Sequence, residues 1–413
     1  MRVLLIADPG RPDFFEYLIS ANSSVKSWEI IWEYKYSGKT EQKEFLVVSN
    51  GKTVPIHYWS DLATPNVLFR KIDPDKIIFF EIIDLWQISL VIAAQKKKIT
   101  TFFVEHGVGN SVEQVINRFN ERLNLNDWFK KYKIKIIRYG FRAIKNRIFY
   151  FSQIFNLNSF KSFFKYLFLP VNLKRDTPIH CLSKNLFRER TPNYAILFNR
   201  NNVAPFLVYN IIEKKNIITE GVPFFDEYYR GQIIEEEYVF FVEHPYLEEG
   251  ILEWNDIFHE KIARTLEEFA IKNNIPVYIK LHPRSKIENW TRYNLNANLI
   301  TLLQKENVVK LMLEAKLILG YSSTLLNIMI QCKKNVVLLG WHPKPRIFGD
   351  DYSVWNLCHK SYEITDIHAE YRYWIENNLC DKDSESYKGF LEEYNYPFDG
   401  KATERVLEAI QTL

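Results

Sequence analysis

The chain has 413 residues, of which 47% are hydrophobic and 25% are charged, and its formal net charge is +4. This length exceeds what one ordinary core uses, so we expect two domains that each bury a full apolar interior. No stretch approaches the roughly 20 uninterrupted apolar residues of a membrane-spanning helix, and Asp8, Pro9 and Arg11 interrupt the apolar start before a signal-peptide core can form. Composition therefore argues against an integral membrane protein and predicts a cytoplasmic one.

The cysteines are far apart and form neither a CxxC pair nor a cluster with histidine at metal-ligand spacing. They are Cys181, Cys332, Cys358 and Cys380. This pattern predicts no zinc site and no disulfide framework, and we expect reduced, buried thiols.

The first half of the chain alternates short apolar strands with helical periodicity. Strands are predicted at 3–7, 76–80 and 101–104, with a helix at 88–97 between the last two. A strand, a helix and another strand in succession are typical of a parallel sheet with helical crossovers. We therefore predict a Rossmann-like, doubly wound first domain at 1–212.

Residues 128–175 interrupt this alternation with a basic, aromatic-rich composition. They contain twelve Lys or Arg and no Asp or Glu, so the rest of the +4 chain carries about −8. One interpretation is an insertion that contacts anionic lipid headgroups or a polyanionic acceptor. The other is ordinary helices with buried aromatics and solvated lysines. No nucleic-acid-binding signature accompanies the charge, so we expect no nucleic-acid partner.

The second half repeats the alternation of strands and helices. The predicted strands are 238–242, 277–281, 317–320 and 335–339, and the predicted helices are 251–272 and 324–331. We predict a second Rossmann-like domain at 213–400, followed by a C-terminal helix within 401–413. The expected fold is α/β, with two such domains.

One strand of the first domain ends in polar, glycine-rich chemistry. Glu105 and His106 directly follow the strand at 101–104, and Gly107 and Gly109 allow a ligand to approach the backbone closely. A carboxylate beside an imidazole suits a general base, because one group can take a proton from an acceptor hydroxyl while the other orients it. Which of the two is the base stays open, and a structural turn explains the same residues equally well.

In the second half, the strand predicted at 277–281 ends in a His-Pro turn. Lys280, His282, Pro283 and Arg284 stand at its carboxyl end, where parallel α/β sheets bind ligands. Two cations and an imidazole can together donate hydrogen bonds to a phosphate. The alternative is a core histidine with ordinary hydrogen-bond partners.

Three successive hydroxyl residues, Ser322, Ser323 and Thr324, open the helix predicted at 324–331. A helix N-terminus has unpaired backbone N–H groups and the positive end of the dipole, and both favour an anion. Simple capping needs only one hydroxyl. Three in succession, one strand after the His-Pro turn, therefore indicate a phosphate-binding site.

The order of these motifs resembles that of the bacterial sialyltransferases and polysialyltransferases, GT-B enzymes with acidic-acidic-Gly, His-Pro and Ser-Ser motifs. The segment 96–107 is similar in placement to the polysialyltransferase segment that carries the catalytic acid. Similarity extends to the CDP-glycerol glycerophosphotransferases and to the Kdo transferases of capsule assembly. Residues 221–226, Gly-Val-Pro-Phe-Phe-Asp, resemble the Gly-x-Pro-Arg-x-Asp segment of those transferases and of UDP-GlcNAc 2-epimerases, with Phe224 in place of arginine.

The resemblance implies a GT-B fold, in which the two domains face a cleft and the C-terminal helix crosses back to the first domain. It implies that the first domain binds mainly the acceptor and the second the nucleotide. It also implies that His282, Ser322 and Ser323 contact the donor phosphate and that Glu105 or His106 is the base. With one base and no second nucleophile, direct attack would invert the donor carbon. Because a helix N-terminus and a histidine do the work of a metal ion, we expect no metal and no other cofactor. One departure is His106, since the sialyltransferases have an acidic residue there and the glycerophosphotransferases have His-Gly.

The implied donor is a cytidine nucleotide sugar, CMP-sialic acid or a Kdo-type nonulosonate, and the implied acceptor is a glycan or lipid-linked glycan of the capsule or lipopolysaccharide. The alternatives are transfer of a polyol phosphate from CDP-glycerol or CDP-ribitol, and a UDP-sugar epimerase or transferase of the same fold. A non-enzymatic assembly factor is a further alternative, which the intact motif order disfavours. Peripheral contact with the inner face of the cytoplasmic membrane is expected from 128–175.

A second His-Pro pair follows Glu243, at His244 and Pro245. We prefer His282 as the phosphate ligand, because Glu243 would repel a phosphate bound beside His244. The cytosine base is expected near this turn and near 340–343.

Overall fold

The computed structural model describes residues 1–9, 12–21, 25–32, 43–47, 50–59, 65–106, 148–155, 163–169, 188–208, 210–230, 235–304, 306–380 and 384–413. Two compact units divide the chain. Unit 1 comprises Met1–Phe224 and Lys401–Leu413, and unit 2 comprises Phe225–Gly400.

An eight-stranded sheet forms the centre of unit 1. Its strands are β1 Arg2–Ile6, β2 Ser27–Trp32, β3 Glu44–Leu46, β4 Thr53–Tyr58, β5 Lys76–Phe79, β6 Thr100–Val104, β7 Tyr194–Leu197 and β8 Ile217–Thr219. They lie in the order β3-β4-β2-β1-β5-β6-β7-β8, and all neighbours are parallel except β3 and β4. The apolar runs β1, β5 and β6 are buried along nearly their whole length, as expected for parallel strands covered on both faces.

The helices of unit 1 pack on this sheet. They are Glu16–Ser20, Pro65–Ile72, Leu85–Lys96, Val203–Leu207 and Ala402–Thr412, with short 3₁₀ turns at Pro12–Phe14, Arg188–Arg190, Arg200–Asn202, Lys214–Asn216 and, at the unit boundary, Pro223–Phe225. A capping box between Asp84 and Gln87 starts the helix Leu85–Lys96. The final helix places Val406, Leu407 and Ile410 in the apolar core beneath β1.

Two stretches of the basic segment 128–175 are described, and both are helical, at 148–154 and 163–169. Their buried side chains join the core of unit 1: Phe149, Tyr150, Ile154, Tyr166 and Leu169. Other large apolar side chains of the same stretches are exposed: Ile148, Phe155, Phe164 and Phe168. Each of the two interpretations of this segment therefore fits part of it.

A six-stranded, wholly parallel sheet forms the centre of unit 2. Its strands are β9 Glu236–Val242, β10 Val277–Lys280, β11 Ile300–Leu303, β12 Ala315–Gly320, β13 Val336–Leu339 and β14 His359–Ser361, in the order β11-β10-β9-β12-β13-β14. The helices are Asp226–Arg230, Tyr246–Glu249, Asp256–Asn273, Glu288–Thr291, Val309–Glu314, Thr324–Gln331, Asp366–Glu376 and Glu385–Tyr394, with a 3₁₀ turn at Tyr352–Trp355.

Two predominantly parallel sheets with crossover helices confirm the predicted pair of Rossmann-like domains. The division between them differs from the predicted one, because unit 1 continues past residue 212 to Phe224. The reason is the short strand β8, which pairs with β7 and so extends the first sheet. Within the described ranges, no helix is both long and apolar enough to cross a membrane.

Candidate active-site residues

Glu105 and His106 follow β6, and their side chains reach toward the two neighbouring strands. The Glu105 carboxylate accepts hydrogen bonds through one oxygen, Oε2, from the backbone N–H of Phe198 and from Asn202 Nδ2, both at 2.7 Å. Phe198 is the first residue after β7. Burial raises the pKa of Glu105 to about 7, against the opposing effect of these two donors.

His106 turns the other way, toward the end of β5. Its Nδ1 lies 2.8 Å from the carbonyl oxygen of Phe80, and because a carbonyl can only accept, Nδ1 carries a proton. The neutral ring therefore has its lone pair on Nε2, which lies 3.3 Å from Glu81 Oε1. A side chain that is 26% exposed can exchange a proton with a bound hydroxyl. The two glycines that follow, Gly107 and Gly109, lie outside the described residues.

Glu81 was not singled out from the sequence. It is the second residue after β5, which is the neighbour of β6 in the sheet. A negative charge near an imidazole stabilises the imidazolium that forms when the ring takes a proton, and Glu81 lies against Nε2, the same nitrogen that would take it. The signal available in the sequence was its position, since a polar residue at the carboxyl end of a parallel strand lies at the ligand-binding edge.

In unit 2, His282 follows β10 and has a defined tautomer. The backbone N–H of Arg284 donates to His282 Nδ1 at 3.1 Å, so Nδ1 is an acceptor and the neutral ring carries its proton on Nε2. An imidazole held in this way presents an N–H donor, which is what a phosphate oxygen requires.

His244 connects the ends of three adjacent strands. Its ring centroid lies 6.0 Å from that of His282, and the planes of the two rings are nearly parallel. Its Nε2 donates to the Ser322 carbonyl oxygen at 3.1 Å. Burial lowers the pKa of His244 to about 4, and the Arg284 cation adds to this effect. The structure thus brings the His-Pro turn and the Ser-Ser segment together at one edge of the sheet.

Of the three hydroxyl residues, Thr324 is the first residue of the helix Thr324–Gln331, and the two serines before it have different partners. Ser323 caps the helix Thr324–Gln331, because its Oγ accepts from the Leu326 N–H at 3.3 Å. Ser322 Oγ accepts from the Asp350 N–H at 2.8 Å and so holds a loop that follows β13. The Ser322 hydroxyl also forms a side-chain hydrogen bond with the buried Tyr352, so it belongs to a network within the protein, and its assignment as a phosphate ligand stays a prediction.

The remaining predicted phosphate ligands have partners within the protein. Lys280 Nζ donates to the carbonyl oxygen of Gln304, at the end of β11, and burial lowers its pKa. Arg284 forms an ion pair with Glu249 and is 68% exposed, and Pro283 is also exposed. Their assignment as phosphate ligands stays a prediction.

The Glu243 carboxylate is buried and accepts a hydrogen bond from the backbone N–H of His282, so we assign it no contact with a phosphate. His342 lies near His244, among aromatic side chains of unit 2. It is 2% exposed, and neither of its ring nitrogens has a hydrogen-bond partner among the described residues. Its ring lies 5.2 Å from that of Tyr246 and 5.4 Å from that of Trp254, whose Nε1 also has no such partner. Buried polar atoms of this kind are few in native proteins and need a reason.

Several enzymes of known structure share the fold of this chain. The UDP-GlcNAc 2-epimerase from Methanocaldococcus jannaschii is 12% identical, with a TM-score of 0.52 and 99% of each chain covered. The UDP-GlcNAc 2-epimerase from Neisseria meningitidis bound to UDP-GlcNAc is 13% identical, with a TM-score of 0.52 and 100% of each chain covered. The wall teichoic acid polymerase TagF is 12% identical, with a TM-score of 0.54, covering 99% of this chain and 88% of its own.

These structures have the GT-B fold, so the predicted fold class is confirmed. None of the curated proteins matches this chain. The family model of the alpha-2,8-polysialyltransferases matches residues 33–328, a range that contains Glu105, His106, His282 and the Ser-Ser segment. The resemblance read from the motifs is confirmed by this match, which spans more than half of the chain. The protein is a glycosyltransferase of the GT-B fold and belongs to the alpha-2,8-polysialyltransferase family.

Proposed function

We propose that the protein transfers a nonulosonate, of the sialic acid or Kdo type, from its CMP derivative to a glycan in the synthesis of a capsule or lipopolysaccharide. The observation that carries this proposal is the tautomer of His282. Its Nδ1 accepts from the Arg284 N–H, so the neutral ring carries its proton on Nε2, and the proposal assigns this N–H to the phosphate of the nucleotide. The match to the polysialyltransferase family supports the choice of a CMP-activated donor.

In this proposal the phosphate of CMP is bound without a metal ion. His282 donates one hydrogen bond, and the N-terminus of the helix Thr324–Gln331, with its Ser322 hydroxyl, supplies further donors and the positive end of the helix dipole. These groups act where charge develops when CMP leaves. Full activity in excess EDTA is the expected result, and activity that needs added Mg²⁺ or Mn²⁺ would refute this part.

We assign the base to His106 rather than to Glu105. The Nε2 lone pair of His106 takes the proton of the acceptor hydroxyl while the hydroxyl oxygen bonds to the anomeric carbon. The bond from that carbon to the CMP phosphate breaks, and its electron pair leaves with CMP. The single displacement inverts the anomeric carbon. Glu81, 3.3 Å from Nε2, stabilises the imidazolium, whereas Oε2 of Glu105 already accepts hydrogen bonds from Phe198 and Asn202.

The second candidate is transfer of glycerol phosphate or ribitol phosphate from the CDP derivative. The observation that favours it is His106 itself, because a His-Gly stands at this place in the glycerophosphotransferases and an acidic residue in the sialyltransferases. His106→Glu decides between them. Retained transfer from CMP-sialic acid supports the first candidate, and lost transfer in a protein that uses CDP-glycerol supports the second.

We further propose that the cytosine base binds close to His342. The two ring nitrogens of His342 and the Nε1 of Trp254 are buried polar atoms that a polar ligand edge would satisfy. Burial lowers the pKa of His342 to about 4, so the ring is neutral near pH 7 and offers one donor and one acceptor.

Contact with an anionic membrane is the third part of the proposal. Ile148, Phe155, Phe164 and Phe168 are exposed apolar side chains in a segment with twelve basic residues and no acidic ones. Apolar insertion together with basic attraction is how peripheral proteins bind anionic lipid. Sedimentation with phosphatidylserine vesicles should decrease as salt rises, and Phe155→Ser with Phe168→Ser should reduce it further. Binding that is unaffected by both would contradict the proposal.

The donor is tested by thermal unfolding with CMP, CDP, UMP, UDP and GDP, each with wild type and His282→Ala. A ligand of the folded state at about 100 times its dissociation constant adds about 2.7 kcal/mol to stability. CMP should raise the melting temperature of the wild type and not that of His282→Ala. His259→Gln is the matched control, because His259 is also a buried histidine of unit 2 but bonds to Tyr293 on another part of the fold. Stabilisation by UDP or UMP instead would replace the cytidine donor by a uridine one.

A further inference from the structure

Glu243 has no part in the proposed transfer, yet it is bonded to the turn that carries His282. It is the first residue after β9, and its side chain is buried. Through one oxygen, Oε2, it accepts from the backbone N–H of His282 at 2.9 Å and from Ser285 Oγ at 2.7 Å. These two contacts hold both ends of the turn 282–285.

Two other carboxylates from the same stretch, 243–249, bind the chain further along. Glu248 Oε1 accepts from the Lys286 N–H and from Asn289 Nδ2, both at 2.8 Å, and Glu249 pairs with Arg284. Of the three carboxylates only Glu243 is fully buried, and only Glu243 bonds to His282 itself.

The tautomer of His282 depends on this turn. His282 Nδ1 accepts from the Arg284 N–H, two residues further on, so the bond exists only while the backbone of 282–285 keeps its present conformation. The backbone bond Ser285 N–H to His282 O, at 2.9 Å, belongs to the same turn. If the turn opened, the imidazole would lose the donor that keeps Nδ1 unprotonated.

We propose that Glu243 is a positioning residue, which fixes the turn 282–285 and thereby the Nε2–H tautomer of His282. The role of His282 as phosphate ligand is part of the proposed function, whereas the control of its tautomer by Glu243 stands on the hydrogen bonds alone.

The chemistry of the site explains which substitutions matter. Both donors bond to one oxygen, so a glutamine, which keeps a carbonyl oxygen there, should keep the turn. Alanine would leave the His282 N–H and the Ser285 hydroxyl buried and unpaired. Burial raises the pKa of Glu243 to about 7, and in the neutral form Oε2 still accepts when the proton is on the other oxygen. Glutamine is therefore a close substitute for the two bonds that hold the turn, whereas the further contact of the carboxylate with Trp290 lies outside the turn.

The test compares Glu243→Gln, Glu243→Ala and the matched control Glu248→Ala. The control removes a carboxylate of the same loop that has no hydrogen bond to His282. In protein labelled with ¹⁵N-histidine, the ring nitrogens of His282 report its tautomer, with the signals assigned by His282→Gln. Wild type, Glu243→Gln and Glu248→Ala should show a single Nε2–H form. Glu243→Ala should show a mixture of tautomers and bind CMP at least tenfold more weakly, while Glu243→Gln and Glu248→Ala stay within about threefold.

A single Nε2–H form and unchanged CMP affinity in Glu243→Ala would overturn the proposal, and so would equal losses in Glu243→Ala and Glu248→Ala. If Glu243→Ala does not fold, Glu243→Asp carries the test, because it keeps the charge but shortens the side chain by one methylene. A wild type that does not bind CMP would refute the proposed donor, and the nitrogen spectra would still decide the role of Glu243.

Discussion

The same dipeptide, Glu-His, follows a central strand in each of the two units. In each case the glutamate reaches toward one neighbouring strand and accepts from a backbone N–H there, Phe198 for Glu105 and His282 for Glu243. In each case the histidine reaches toward the other neighbour and donates to a backbone carbonyl, and burial raises the pKa of each glutamate to about 7.

The two histidines differ in which ring nitrogen donates to the backbone carbonyl oxygen. His106 uses Nδ1, so Nε2 is left facing the Glu81 carboxylate. His244 uses Nε2, and its ring is stacked on Tyr246 and lies close to His282 and Tyr321. Burial lowers the pKa of His244 to about 4, which makes it a poor proton acceptor near pH 7. If His106 is the base, as proposed, the same local arrangement serves proton transfer in unit 1 and a structural role in unit 2, according to what surrounds the imidazole.

The largest effect is expected from replacing the histidine of unit 1. His106→Gln should lower kcat by about 10²–10⁴, the usual contribution of a general base, while leaving the melting temperature and its CMP shift nearly unchanged. The measurement is transfer from a CMP-nonulosonate to a glycan acceptor. His244→Gln is the comparison, and should lower stability and CMP affinity together because it disturbs the Ser322 carbonyl. If His244→Gln lowered only kcat, the assignment of roles to the two histidines would be reversed.

The two glutamates should give the protein an unusual pH dependence of stability. A carboxyl group whose pKa is raised on folding binds extra protons in the folded state, so its contribution is present below about pH 4.5 and is lost as pH rises to about 7. A rise of this size corresponds to roughly 3 kcal/mol for each group. Relative to wild type, Glu105→Gln and Glu243→Gln should therefore gain stability between about pH 4.5 and pH 8.

Urea unfolding of the wild type and both variants at several pH values measures this effect. Comparing variant with wild type removes the opposite contribution of His244, His259 and His342, whose lowered pKa values make the fold less stable as pH falls. A difference between variant and wild type that does not change with pH would mean that the glutamates are ionised normally.

A smaller effect is expected at Gly349, which lies against Ser322, the residue whose carbonyl oxygen accepts from His244. It has a φ of +100°, and a Cβ there would lie 2.8 Å from Ser322 Oγ and 2.9 Å from Ser322 Cβ. Gly349→Ala should cost about 1–3 kcal/mol of stability and weaken CMP binding. Gly51→Ala is the control, because Gly51 has a φ of +69° but no atom within 4 Å of the added Cβ. Equal effects of the two changes on CMP binding would contradict the link to Ser322.

The smallest effect is expected at Lys280. Because its ammonium group donates to the Gln304 carbonyl, Lys280→Met should change CMP affinity by less than about threefold, with a loss of stability of about 1 kcal/mol. Isothermal titration with CMP measures this. A loss of tenfold or more would return Lys280 to the phosphate ligands that the sequence predicts.

The central strands and the helix at 324–331 could be predicted because continuous apolar runs and a Ser cap act locally. The sequence does not predict β2 and β4, where buried residues alternate with partly buried or exposed ones. It also does not predict the four-residue strands β7 and β11 or the three-residue strands β3, β8 and β14. These segments are short or weakly patterned, so their pairing depends on the neighbours that the fold supplies. The predicted domain boundary at 212 differs from the observed one at Phe224 for the same reason, because the short strand β8 has no strong sequence pattern of its own.

The site residues show the same limit. The strand ends identified His106 and His282 because parallel sheets bring their carboxyl ends to one edge. Spacing along the chain does not reveal that Glu81, 25 residues before His106, lies beside its ring, or that Glu243, 39 residues before His282, bonds to its backbone. Such contacts depend on which strands are neighbours, and strand order is a property of the whole sheet.

The last helix, Ala402–Thr412, completes the core of unit 1 although all of unit 2 precedes it in the chain. Lys76, on β5, donates to the carbonyl oxygens of Ile410 and Gln411 at the end of this helix. During synthesis on the ribosome, residues 225–400 can close their own core while the first sheet still lacks the helix that covers β1. Unit 1 can therefore complete its core only after residues 402–412 have been synthesised, and a nascent chain stalled before residue 402 should expose the apolar face that Val406, Leu407 and Ile410 later cover.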